Sequence, residues 1–195
     1  MIPAQSPRTR DMAPENPTSD NLSALMAMLA HKDGLIRKKG RIGLEALGEP
    51  AVAPLCEALL TAKDRHVRWG AAKALGTLRD PRSAPALVEA LEDRDSDVAW
   101  LAAVALENMG QEAWRPVLQG LIDRGVDSVA MREGAHHVFS KQKAPGFDDL
   151  LDTLREALEF GELTEAGGIA ASEMLRRLRD AADADDWGNL PNENG

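Results

Sequence analysis

Three side chains that could take part in chemistry lie close together in the sequence: Glu133, His136 and His137. Residues four apart share a helix face, so Glu133 and His137 would lie side by side, whereas His136 would point about 100° away from His137. Two ligands are too few for a dedicated metal site, and a solvated carboxylate–imidazole pair is the simpler interpretation. We therefore predict no metal site, no cofactor and no catalytic residue.

The only cysteine, Cys56, lies among apolar residues and is predicted to fill core space rather than to act as a reactive thiol. One cysteine cannot form a disulfide within the chain, which favours a reducing compartment. Residues 1–21 carry four prolines and no apolar stretch, so they do not resemble a secretory signal, and no segment has the length of a membrane span. We therefore predict a cytoplasmic protein that does not contact membranes.

The chain is acidic, with a formal net charge of -9. Binding to nucleic acid phosphates or to an anionic membrane needs clustered Lys and Arg, so this charge argues against both. A basic or neutral patch on a protein partner fits the charge better.

A repeat of 31 residues runs through the middle of the chain, where Pro54, Pro85 and Pro116 recur at that spacing. Repeats of this length are typical of solenoids, in which each helical hairpin buries its apolar face against its neighbours. We therefore predict an all-α fold, an α-solenoid of about five stacked hairpins. The predicted helices are 20–31 and 34–47, 51–61 and 64–78, 82–92 and 95–109, 112–123 and 128–142, and 147–159 and 164–180.

Charged side chains repeat with the hairpins and are predicted to be structural. An Asp precedes three of the second helices, where its carboxylate can accept hydrogen bonds from free amides at the helix start, and Ser128 takes this place in the fourth unit. An Arg follows four residues after three of these caps and could bridge to the Asp of a neighbouring layer. The resulting ladder of ion pairs would consist of Asp33, Asp64, Asp95, Arg37, Arg68 and Arg132.

The two ends of the chain differ from the middle in composition. Residues 1–19 are polar and rich in proline, and we predict a disordered arm there, before a solenoid domain at 20–180. Residues 181–195 contain no Lys or Arg, and we predict a disordered acidic tail. Within it, Trp187 with Asp185 and Asp186 could form a short recognition peptide or fold back on the solenoid, although a solubilising tail is the simpler interpretation.

Two stretches resemble known repeats: DRHVRWGAAKALGTLRDPRSAPALVEALED at 64–93 and DSDVAWLAAVALENMGQEAWRPVLQGLID at 95–123. They are similar to HEAT-like repeats of the short bacterial kind, which also occur in phycobilisome lyase subunits. The resemblance covers about residues 22–142 well and 147–180 loosely. It implies an α-solenoid whose second helices line the concave surface. Lyase activity is not carried over, because nothing in the sequence marks a bilin site.

Aligned units place the same kind of surface position on each second helix. Lys38, Trp69, Trp100 and Glu133 are equivalent, and one turn later come Ile42, Lys73, Val104 and His137. Two tryptophans on adjacent helices, roughly 10 Å apart, would form a docking surface, because exposed Trp is enriched at interface hot spots. In the alternative interpretation each ring lies flat over its neighbour and only covers the space between helices.

We therefore predict an interaction module, either an adaptor, an assembly factor or a regulatory subunit, that is monomeric and binds a protein partner on its concave face. Trp69 and Trp100 would anchor the partner, and Lys38, Lys73, Val104, Glu133 and His137 would complete the surface. The alternative is a subunit of a chromophore-lyase type of enzyme that holds a tetrapyrrole-like ligand between a tryptophan and the region of His136 and His137. Binding of DNA is a third possibility that the net charge disfavours.

Overall fold

A computed structural model describes residues 17–159 and 163–188, with side chains at 20–159 and 163–181. Within these ranges the chain is helical and contains no strand. Short 3₁₀ turns lead into α3, α5 and α7, and another follows α5. The helices are α1 (Pro17–Met28), α2 (Gly34–Leu47), α3 (Val52–Thr61), α4 (Arg65–Leu78), α5 (Ala84–Glu89), α6 (Ser96–Met109), α7 (Trp114–Arg124), α8 (Val129–Phe139), α9 (Asp148–Glu159) and α10 (Glu165–Gly188).

The second helices begin at the predicted caps. The side chain of Asp33 accepts a hydrogen bond from the amide of Leu35 at 2.8 Å, and Asp64 and Asp95 accept equivalent bonds at 2.8 and 3.2 Å. In the fourth unit the hydroxyl of Ser128 accepts from the amide of Met131. Each bond satisfies an amide that lacks a partner within its helix. The predicted capping pattern is therefore confirmed.

Helix pairs stack as hairpins in two rows. The second helices α2, α4, α6 and α8 pack against one another in order, and the first helices α3, α5 and α7 form the other row. Fully buried leucines fill the space between the rows. Helices α4 and α6 approach closely, because a Cβ added at Gly76 would lie 3.1 Å from the Cβ of Ala105. The chain is thus an all-α solenoid, as predicted.

The fifth hairpin departs from the predicted stacking. Its first helix, α9, packs against α8 of the second row, while its second helix, α10, packs against α7 of the first row. Aromatic rings connect α7, α8 and the residue that precedes α9: Trp114 is fully buried, with its ring centroid 5.9 Å from that of Phe139 and 5.6 Å from that of Phe147. The order of the last hairpin is thus reversed relative to the preceding layers.

Both predicted ends of the solenoid lie too far inside the chain. Helix α1 begins at Pro17, so residues 17–19 are helical rather than part of a disordered arm, and residues 1–16 lie outside the described part. Helix α10 continues to Gly188, so the predicted disordered tail is helical over 181–188, where three alanines favour helix. Residues 189–195 lie outside the described part. None of the described helices is both long and apolar enough to cross a membrane.

Candidate functional site

The row of second helices carries the residues that the alignment placed in one stripe. Trp69 and Trp100 keep 38% and 58% of their surface exposed. Of the other predicted contact residues, three are exposed and two are half-buried. The exposed residues are Lys38, Lys73 and Glu133, and the half-buried ones are Val104 and His137.

The two tryptophans line different grooves. Trp69 lines a groove of about 320 Å³ between α2 and α4, whereas Trp100 lines a groove of about 380 Å³ between α6 and α8. The single paired-tryptophan surface that the alignment predicts is therefore divided into two sites, one near each end of the second-helix row.

Glycine lies at the same repeat position beside the floor of both grooves. Gly70 in α4 is buried against Leu29, and a Cβ there would lie 3.1 Å from the leucine Cδ2. Gly134 in α8 is buried against Leu91, and a Cβ there would lie 2.8 Å from that Cδ2. Because glycine leaves room for the leucine to pack down, the space above each pair stays open.

Between the two grooves the pattern changes. The position equivalent to Gly70 is Leu101 in α6, which is half-buried, and the leucine that would pack against it, Leu60, is 51% exposed. The leucine side chain at 101 takes the space that glycine leaves free in the layers on either side. A difference of one residue type thus divides the predicted stripe.

The α2–α4 groove is lined by cations. Its floor is apolar, and Trp69 forms part of its wall. No carboxylate is among the described residues that line it. The basic lining residues are Arg37, Lys38, Arg41, Arg65 and His66.

The α6–α8 groove carries mixed charges and an aromatic contact. Asp93 and Glu133 line it, and the ring of Trp100 lies against that of His137 with a centroid distance of 4.5 Å and a tilt of 58°. The Nε2 atom of His137 lies 3.0 Å from a carboxylate oxygen of Glu107 in α6, which is ion-pairing distance, but the angles do not make a hydrogen bond. The predicted pairing of His137 with Glu133 is wrong, because the imidazole reaches across to α6.

The predicted Arg–Asp ladder has a different construction. Arg68 pairs with Asp93 rather than with the capping Asp64 or Asp95: its Nε lies 2.7 Å and its Nη2 3.0 Å from the two carboxylate oxygens of Asp93. The side chains of Arg68 and Asp93 are only 5% and 9% exposed. Asp95 pairs instead with the exposed Arg65, at 3.1 Å. Asp33 and Asp64 act as helix caps.

The repeated arginines share a different role. Arg68 donates to the carbonyls of residues 62 and 63, Arg37 to those of residues 31 and 32, and Arg132 to those of residues 125 and 126. In each unit the guanidinium thus satisfies carbonyls near the end of the preceding first helix. Asp93 adds a carboxylate for Arg68, whereas the equivalent position for Arg37 is Ala62.

The buried pair shifts both acid–base equilibria. The hydrogen bond to Asp93 raises the pKa of Arg68 above its ordinary value. Burial by itself would raise the pKa of Asp93, but the bonds from Arg68 and from the amide of Asp95 outweigh it and hold that pKa below its ordinary value. The pair is therefore charged across the physiological range and fixes α4 to the start of α6.

Other candidate residues contribute less to this face. Burial and the nearby Asp80 raise the pKa of the half-buried Cys56 thiol, which lowers its reactivity and agrees with a packing role. Asp185, Asp186 and Trp187 lie on the last turns of α10, and their side chains are outside the described set. Within 20–159 and 163–181, no three His, Cys, Asp or Glu side chains come together in a way that could hold a metal.

A comparison with protein families identifies the stacked region. The family model for HEAT repeats matches residues 52–137, which run from the start of α3 into α8. These residues are HEAT repeats. The matched region covers three of the layers that stack in regular order, from α3 to α8. The match does not assign it to the phycobilisome-lyase type. A search of curated proteins finds no match.

Sequence reasoning missed three features of the face formed by α2, α4, α6 and α8. Arg68 was predicted to form an ion pair, but its partner Asp93 was not, because the two residues belong to different layers and the repeat does not show which side chains meet between layers. The alternation of glycine and leucine at positions 70, 101 and 134 is visible in the aligned units and could have predicted two grooves. The cationic lining of the first groove was hidden by the acidic charge of the whole chain.

Proposed function

We propose that this chain is a protein-interaction module that binds a protein partner on the face formed by α2, α4, α6 and α8. The observation that carries the proposal is the placement of two partly exposed tryptophans, Trp69 and Trp100, each in a groove with an apolar floor. HEAT repeats commonly serve as interaction scaffolds, which supports the same conclusion.

A groove with an aromatic wall can bury an apolar side chain of a partner and exclude water from it. Tryptophan contributes strongly to such interfaces because it covers a large area and keeps a polar N–H for orientation. Lys38, Lys73 and Glu133 surround the anchors and would set the direction of docking, and Val104 and His137 would add apolar and aromatic contact.

This role fits an adaptor, an assembly factor or a regulatory subunit. The proposed location is the cytoplasm, since the single cysteine cannot form a disulfide within the chain. The proposal requires no catalytic residue and no cofactor.

Affinity capture from the native lysate tests the proposal. The full chain, Trp69→Glu and Trp100→Glu are compared with Ile169→Glu, which alters an exposed apolar residue of α10, outside the second-helix row. Circular dichroism first establishes that each variant remains helical. We expect at least one Trp variant to lose a partner that Ile169→Glu retains. Equal capture by all folded variants would contradict the proposal.

A tetrapyrrole-binding function is the second candidate, and the contact between Trp100 and His137 in one groove is the observation that favours it. His136 is half-buried and lies outside the described lining of that groove, so His137, whose Nε2 atom already lies beside Glu107, would be the imidazole that a ligand meets. Absorption spectra of the pure protein with added bilins or haem test this candidate. An unchanged spectrum at high protein concentration would eliminate it.

A further inference from the structure

Charge is distributed very unevenly along the chain. Residues 1–79 contain 12 Lys and Arg against 8 Asp and Glu, whereas residues 80–195 contain 11 against 24. The first part is therefore basic within a protein whose total charge is -9. Electrostatic attraction acts over about one Debye length, roughly 8 Å at physiological salt, so an acidic ligand at the first groove would sense mainly the basic part.

The α2–α4 groove concentrates this positive charge beside an apolar floor. Some of its cations already have partners: Arg37 donates to two carbonyls, Arg41 pairs with Glu45, and Arg65 pairs with Asp95.

Two lysines remain available next to Trp69. Lys38 lines the groove, and Lys73 follows Trp69 by one turn of α4. Both are exposed, and neither side chain has an ion-pair partner among the described residues. A ligand that combines carboxylates with an apolar side chain would match the groove in charge and in shape.

The carboxy-terminal segment of the chain has this composition. Residues 180–195 carry five acidic residues and no Lys or Arg, and they include one tryptophan and one leucine. The carboxylates would face Lys38 and Lys73, and an apolar residue would fill the space beside Trp69.

Geometry separates this segment from the groove of its own chain. Residues 181–188 continue helix α10, which packs against α7 and α9 at the far end of the solenoid, whereas the groove lies between the first and second layers. Between the first two layers and the fifth, at about 10 Å per layer, the two are roughly 30–35 Å apart, and they belong to different helix rows.

We infer that the α2–α4 groove binds the acidic carboxy-terminal segment, residues 180–195, of a second copy of the chain. This inference rests on the proposed function of the second-helix face and names one occupant for one of its grooves. The contact joins two different surfaces, so a pair of copies still has one free groove and one free segment, and association can continue beyond a dimer.

Sedimentation velocity of the full chain over a concentration series tests the inference. At low salt we expect the sedimentation coefficient to rise with concentration, and at 0.5 M salt, a concentration at which charges are screened within roughly 4 Å, we expect a monomer. A chain that stays monomeric at low salt at every concentration would overturn the inference.

Two charge variants locate the contact. Lys38→Glu/Lys73→Glu alters the groove, and Asp183→Asn/Asp185→Asn/Asp186→Asn alters the segment. We expect each to weaken self-association by about tenfold or more. The control, Lys63→Glu/Lys143→Glu, makes the same charge change as the groove variant at exposed positions outside the groove, and we expect less than a threefold effect. An equal effect of the control would overturn the inference.

A mixture of the two variants gives the most specific test of the contact. The groove variant keeps its segment and the segment variant keeps its groove, so an equimolar mixture restores one contact and should give a dimer that grows no further. Mixing without association would overturn the inference. If the chain is monomeric but captures a partner through Trp69 or Trp100, the groove is not occupied by a second copy. That result would overturn this inference and support the proposed function.

Discussion

The two grooves of the second-helix face are built from equivalent repeat positions and differ in chemistry. Each has a leucine packed on a glycine, Leu29 on Gly70 and Leu91 on Gly134. Around this common floor, two of the three arginines and the histidine of the first groove are replaced by alanines in the second. The replacements are Arg37 by Ala99, Arg41 by Ala103, and His66 by Ala130.

The aromatic residue also changes sides. In the first groove Lys38 is on the earlier helix and Trp69 on the later one, whereas in the second Trp100 is on the earlier helix and Glu133 on the later one. A solenoid can thus keep one backbone geometry and present one cationic groove and one groove of mixed charge, because the groove positions lie outside the core that defines the repeat. The two grooves should accept different ligands.

The strongest link between the grooves is the Arg68–Asp93 pair, and its removal should have the largest effect. Replacing Arg68 with Met leaves a buried carboxylate and two carbonyls without their partner, and we expect a loss of about 3 kcal/mol in the free energy of unfolding. Urea denaturation measures the change. Arg65→Met removes an ion pair of an arginine side chain that is 56% exposed, and it should cost less than about 1 kcal/mol. Equal losses of unfolding free energy in the two variants would contradict the prediction that the buried ion pair contributes more than the exposed one.

The same pair predicts a pH dependence. Because the pKa of Asp93 is below its ordinary value of 3.8 in the folded chain, the unfolded chain binds the proton more tightly. The charged pair therefore stabilises the fold above about pH 4, and this contribution is lost as the pH falls through the lowered pKa.

Comparison of the parent chain with Asp93→Asn isolates this effect. The difference in unfolding free energy should be constant from neutral pH to about pH 5 and should narrow below about pH 4. Unfolding curves at several pH values provide the measurement. A difference that persists unchanged at pH 3 would mean that the carboxylate charge is not what stabilises the fold.

Local signals predicted most of the fold. The bounds of α2 agree with those predicted from the sequence, because an Asp cap and a terminal glycine mark both ends of this helix. The order of the fifth hairpin was not predicted, because the choice between α7 and α8 as a packing partner depends on how side chains from different layers fit together. No spacing in the sequence encodes that fit.

The site was predictable in position and only partly in organisation. Alignment of the repeats located Trp69 and Trp100 on one face, since helical periodicity determines which side a residue occupies. It could not show that His137 lies beside Glu107 or that Arg68 reaches Asp93, because these contacts depend on side-chain reach between layers. Whether either groove binds a partner stays a prediction.

The glycines beside the groove floors give a smaller predicted effect. A Cβ at Gly134 would lie within 3 Å of both Cδ atoms of Leu91, so Gly134→Ala should cost about 1–2 kcal/mol through overpacking. A Cβ at Gly70 would come close to only one Cδ atom of Leu29, at 3.1 Å. In Gly70→Ala the gain in helix propensity of about 1 kcal/mol should therefore offset most of the strain. Urea denaturation of both variants measures the two changes in the free energy of unfolding. A larger loss for Gly70→Ala than for Gly134→Ala would contradict the prediction.

The smallest predicted difference in unfolding free energy is between substitutions of His137 in α8 and Lys73 in α4, which occupy the same position of the repeat. His137→Ala removes a half-buried ring that contacts Trp100, and aromatic pairs of this kind contribute about 1 kcal/mol. Lys73→Ala removes an exposed side chain and should stay within about 0.5 kcal/mol. Equal unfolding free energies for the two variants would contradict the difference. If His137→Ala alone is destabilising, Trp100 is partly committed to packing within its own chain. The surface around Trp69, where Lys38 and Lys73 have no ion-pair partner among the described residues, is then the one whose tryptophan is less committed to internal packing.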